Sequence, residues 1–86
     1  MSEWKLQHVT GTRTTYAREL EGLDRIVAYV DFDQWEDEST PPFYEWSVQD
    51  SSCGKVFEQD YVDGTVGLEA AKRAADNAAG RLFPGR

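Results

Sequence analysis

The most strand-like run of the chain is Arg25-Ile26-Val27-Ala28-Tyr29-Val30-Asp31-Phe32-Asp33. Strict alternation sends Ile26, Ala28, Val30 and Phe32 to one face and Val27, Tyr29, Asp31 and Asp33 to the other, and the wholly apolar first set predicts the core face. Upstream, Trp4-Lys5-Leu6-Gln7-His8-Val9 alternates large apolar with polar residues and predicts a strand, closed by the turn signal Thr10-Gly11-Thr12. Thr14 to Leu20 is rich in β-formers and places Tyr16 and Leu20 on one face with Arg18 between them. A strand is preferred there, with helical geometry left open for its last residues. Glu21-Gly22-Leu23-Asp24 then reverses the chain into the central run.

Beyond Asp33, the polar residues of 34–42 end in Pro41-Pro42. A proline pair cannot lie inside a hydrogen-bonded central strand, so a loop is predicted. Phe43 to Val48 resumes strand chemistry, Asp50-Ser51-Ser52-Cys53-Gly54 reads as a hairpin turn, and Lys55 to Val62 runs back. The period then lengthens. From Gly67 to Leu82, Leu68, Ala71, Ala75, Ala78, Ala79 and Leu82 recur at helical spacing, with Glu69, Arg73, Asp76, Asn77 and Arg81 on the opposite face. Asp63 or Thr65 is placed to cap orphan amides, Glu69 and Arg81 suit the two ends of the helix dipole, and Pro84 disfavours helical geometry at Phe83. An alanine-lined face lets a helix approach a sheet closely, with rings from the sheet filling the remaining space. The pattern predicts an α+β fold: a mostly antiparallel sheet of four or five strands with one C-terminal helix packed on one face. No internal repeat and no second domain is visible, so residues 1–86 are expected to form one domain.

Size limits what such a fold can hold. A domain of 86 residues buries only roughly 60% of its unfolded surface, which leaves little margin for a deep enclosed pocket. A hydrophobic fraction of 40% and an aromatic fraction of 13% suffice for a core despite a mean hydropathy of -0.65. Cys53 is the only cysteine, which excludes an intrachain disulfide and the cysteine-rich metal frameworks and points to a reducing compartment. Met1-Ser2-Glu3-Trp4-Lys5 lacks the basic flank and apolar run of a signal peptide, and no apolar stretch approaches the roughly 20 residues of a membrane span. A soluble, cytoplasmic protein is expected.

Charge changes the picture more than composition does. Residues 1–30 hold four acids and four bases and sum to zero; residues 31–63 hold ten acids against Lys55 alone, a net of -9; residues 64–86 sum to +2. The whole negative excess of the -7 chain therefore sits in its middle third. It is interleaved with Trp35, Phe43, Tyr44 and Trp46, of which Trp46 lies in a strand and is expected in the core, whereas Trp35 can fold onto the sheet or stand free.

The candidate chemistry in this stretch does not survive inspection of spacing. Asp31-x-Asp33-x-Trp35 begins like a calcium loop, but Glu36 stands where the sharp turn needs glycine and Pro42 where the loop needs its closing glutamate. Clustered carboxylates can serve as acid and base only in a cleft that perturbs their pKa values, which a solvated loop does not supply. His8 is the sole histidine and has no second histidine to complete a metal site, Cys53 has no histidine near it in sequence, and Gly64 and Gly67 lack the lysine and hydroxyl of a phosphate loop. No catalytic residue, metal ligand or cofactor is assigned, and an enzyme is not expected.

Two resemblances bear on the reading. Tyr44 to Leu82, a hairpin followed by a helix reading Glu69-Ala70-Ala71-Lys72-Arg73-Ala74-Ala75, resembles the second half of a double-stranded RNA-binding domain. The lysine cluster of that family falls on Val66, Gly67 and Leu68 and the hairpin is acidic, so the resemblance implies topology and no direct nucleic-acid binding. In size, acidity and strands-then-helix order, the chain is also similar to small bacteriophage accessory proteins of the anti-CRISPR inhibitor type. That resemblance implies a non-enzymatic inhibitor, acting in the host cytoplasm, that occupies a basic, nucleic-acid-binding surface of a larger protein such as a Cas protein. Asp31, Asp33, Trp35, Glu36, Asp37, Glu38, Tyr44, Glu45, Glu58 and Asp60 are the expected contact residues, rings supplying buried contact and carboxylates steering association. The chain is expected to be a monomer or weak homodimer. The alternative is a structural or assembly module that self-associates through a sheet edge or helix face.

Overall fold

The alternating segments become a five-stranded antiparallel meander, β1 (Lys5–Thr10), β2 (Arg13–Glu19), β3 (Ile26–Asp33), β4 (Phe43–Asp50) and β5 (Lys55–Asp63), ordered in space as in the chain. A one-turn 3-10 helix, Gly64–Val66, leads into the single long helix α1 (Leu68–Leu82), which packs on one face of the sheet. The computed structural model describes residues 4–11, 13–20, 22–23, 25–33 and 43–84. The loop expected over 34–42, and Trp35 with it, lies outside the described residues.

Register settles which side chains meet. Ala28 and Val30 of β3 stand opposite Val48 and Trp46 of β4, and these four are enclosed between sheet and helix. On the helix side of this layer, Ala71, Ala75, Ala78 and Ala79 have no exposed surface. Four methyl groups in place of longer side chains bring the α1 backbone close to the sheet, and Trp46, only 6% exposed, supplies the volume that the alanines leave. Leu20 closes the core at the end of β2, where a compact turn ties Leu23 N–H to the Leu20 carbonyl at 3.1 Å and Leu20 N–H to the Ile26 carbonyl at 3.2 Å. β2 remains extended to Glu19, so the helical option for its end is not taken.

The termini of α1 follow a different plan from the simple cap expected. The Asp63 carboxylate does accept from the Thr65 N–H, at 2.8 Å, but it starts the 3-10 turn. α1 begins after Gly67, whose backbone at φ 89° and ψ 164° lies in territory that only glycine adopts readily, and no side chain caps it. At the other end the Phe83 N–H bonds back to the Ala79 carbonyl at 2.9 Å, and the Phe83 ring stands edge-on to Phe57 with centroids 5.4 Å apart. Asp76 corrects the expected polar face. It lies one position beyond buried Ala75, at the margin of the buried stripe, where it accepts from Arg18 Nη1 at 2.8 Å and from Trp4 Nε1 at 3.4 Å. The polar side of α1 is narrower than its sequence pattern implies, and its flank is latched to β2 and to the residue before β1.

Candidate interaction face

Because α1 covers one face of the sheet, the residues alternating with Ala28 and Val30 occupy the opposite face, which no other described element covers. Pairing sets Thr15, Asp31, Glu45 and Tyr61 in one row across β2 to β5. Thr15 donates its hydroxyl to Asp31 Oδ1, which fixes that carboxylate on the row. Phe43 lies in the next row and meets the Tyr61 ring edge-on at 5.7 Å. Tyr61 is 59% exposed. Half-buried Tyr29 stands in the adjoining row beside Ser47, which is buried and accepts from Gln49 Nε2 at 2.9 Å. This face thus sets the Tyr61 and Phe43 rings beside Asp31 and Glu45 across β3, β4 and the edge strand β5.

The expected contact residues divide between the two faces. Asp31 and Glu45 are direct neighbours on the uncovered face, and Asp33, described by its backbone, follows at the end of β3. Tyr44 lies on the helix side, half-buried, its ring 4.7 Å from Phe32; burial raises its phenol pKa, with Tyr16 adding to the shift. Glu58 and Asp60 also belong to the helix side. Glu58 receives two hydrogen bonds from Arg81, at 3.1 and 2.6 Å, and this contact holds its pKa below the usual glutamate value. Asp60 is exposed, and its carboxylate accepts from the Tyr61 N–H at 2.8 Å. Trp35, Glu36, Asp37 and Glu38 lie outside the described residues.

Two further acids of the negative third serve the fold itself. Asp50 accepts from the Ser52 hydroxyl at 2.6 Å and the Ser52 N–H at 2.9 Å, organising the turn between β4 and β5, and Asp63 starts the 3-10 turn. Both carboxyls are held below the ordinary aspartate pKa by these hydrogen bonds. The negative excess is therefore part structural device and part open surface.

Tyr61 was not among the expected residues, and its place on this face is set by a bulge. Val48 pairs with Glu58 but Gln49 with Val56, so Phe57 is an extra residue in β5. Were Phe57 instead paired regularly with Val48, the ladder would set Tyr61 against Tyr44 and send Glu58 and Asp60 to the face opposite α1; the bulge reverses every later residue of β5. Nothing in the periodicity of Lys55 to Val62 marks this insertion. Tyr29, in contrast, was legible beside Asp31 in the alternation of β3. His8 and Cys53 are exposed, on β1 and at the hairpin tip. Among the described residues no three metal-ligating side chains cluster, and no helix is long and apolar enough to cross a membrane. No protein-family model, curated protein or solved structure matches the chain.

Proposed function

We propose that this chain is a non-enzymatic acidic binding protein that occupies a basic, nucleic-acid-binding surface of a larger protein, in the manner of a phage-type inhibitor acting in the host cytoplasm on a target such as a Cas protein. The observation that supports this reading is that Asp31 and Glu45, two acids of the -9 segment, share a row of the sheet face opposite α1 with the exposed Tyr61 ring, against which the half-buried Phe43 ring packs. Tyr61 and Phe43 supply contact area that a partner can desolvate, and their faces attract guanidinium and ammonium groups. Asp31 and Glu45 steer a basic surface onto them and reject acidic ones. A sheet face positions these groups with little conformational entropy left to lose on binding.

The test is competitive capture. The immobilised chain is presented to a lysate of the native host at increasing salt, alongside the variant Asp31→Lys/Glu45→Lys. Support consists of a retained nucleic-acid-binding protein that is displaced by added nucleic acid, is lost as salt rises and is not held by the variant. Equal retention by both forms, indifferent to salt and to nucleic acid, removes the face from the account.

A further inference from the structure

The two edges of the sheet are built differently. Along β5, carboxylates recur at Glu58, Asp60 and Asp63, the Phe57 bulge breaks the regular ladder, and the Tyr61 N–H is occupied by Asp60 Oδ1. Charges and bulges of this kind discourage pairing with another strand. β1, at the opposite edge, contains no carboxylate, and among the described residues no strand pairs with its outer side. Its own bulge has the reverse effect. Leu6 pairs with Tyr16 and Val9 with Thr14, so the extra residue Gln7 turns both apolar side chains to the same side of the sheet, the side that carries α1. Because α1 packs over β3, β4 and β5, Leu6 and Val9 remain 59% and 60% exposed.

We infer that β1 pairs antiparallel with β1 of a second copy of this chain, about a dyad between Gln7 and His8, joining the two sheets into one. A two-fold contact requires that if residue i meets j, then j meets i. In the stretch Lys5-Leu6-Gln7-His8-Val9-Thr10 this register sets Leu6 opposite Val9 of the second copy twice over, Lys5 opposite Thr10, and Gln7 opposite His8. Apolar side chains meet on the helix side, no like charges stand directly opposite, and all six residues of the strand are paired. Charge favours the same edge. Residues 1–30 sum to zero, while Glu45, Asp50, Glu58, Asp60 and Asp63 stand on β4 and β5 at the far side of the sheet, so two copies of a -7 chain approach at β1 against less repulsion than at β5. The contact shares no residue with the row of Asp31, Glu45 and Tyr61 and does not depend on the basic-partner reading.

Sedimentation velocity from micromolar to near-millimolar concentration tests the pairing, with circular dichroism confirming that each variant is folded. The natural sequence is expected to show a concentration-dependent dimer. Leu6→Glu and Val9→Glu, both at exposed positions, should each weaken it by about tenfold or more. In a Cys53→Ser background, a chain carrying Leu6→Cys mixed with one carrying Val9→Cys should cross-link on mild oxidation, and neither should do so alone. A monomer throughout, a dimer indifferent to both glutamate substitutions, or cross-linking of the Leu6→Cys chain with itself as readily as with the mixture would each overturn the inference.

Discussion

Trp46 illustrates how much of this core hangs on single side chains. The stripe of Ala71, Ala75, Ala78 and Ala79 brings little volume, so the indole occupies space that no neighbour can refill. Trp46→Ala should cost about 3–5 kcal/mol, read as a lowered urea midpoint. The carboxylates make a different kind of contribution, because Asp50, Glu58 and Asp63 are each held below their ordinary values of 3.8, 4.5 and 3.8 by hydrogen bonds in the folded chain. A depressed folded pKa stabilises above the unfolded value and loses that stabilisation as pH falls through the folded one. The urea midpoint should therefore hold from neutral pH to about 5 and decline below about 4.5, with Glu58→Gln flattening part of the decline. Tyr44 acts at the other extreme: its raised phenol pKa means that the unfolded chain ionises first, so stability should fall as pH rises through 10.0 and beyond.

Among the elements, α1 was the most legible, since its alanine period appears unaltered as the buried stripe, and the core face of β3 was equally plain in its alternation. What stayed hidden was parity in β1 and β5. Each contains one extra residue, and a bulge arises from competition between ladders in three dimensions, which a period-two pattern does not record. The start of α1 was hidden for a related reason. Asp63 and Thr65 look like helix caps, yet they build a 3-10 turn, and the chain reaches α1 through a Gly67 backbone that a residue with a Cβ adopts only under strain. A methyl group there would meet nothing within 4 Å, so Gly67→Ala isolates backbone strain from packing. It should destabilise by about 1–3 kcal/mol in urea unfolding, with little change in helical circular dichroism below the transition.

Across the molecule, the placement of α1 over β3 to β5 divides the surface of the described residues into a face with rings and carboxylates, a β5 edge that carries acids and a bulge, and a β1 edge without carboxylates. If β1 joins two copies, the same open face is presented twice on one continuous sheet. Binding to a support displaying many copies of a basic partner should then weaken in Leu6→Glu far more than binding to a single dissolved copy, because only the first exploits two linked contacts; surface plasmon resonance in both orientations measures the difference. The Phe57 bulge gives this arrangement an edge condition. Loss of Phe57 itself would leave a regular ladder with Tyr61 still opposite Glu45, whereas a ladder that kept Phe57 but closed without the bulge would replace Tyr61 with Asp60 on the open face and place Tyr61 opposite Tyr44. Where the ladder accommodates its one extra residue thus acts as a reading frame for the protein surface, deciding which side chains of β5 the molecule shows to its surroundings.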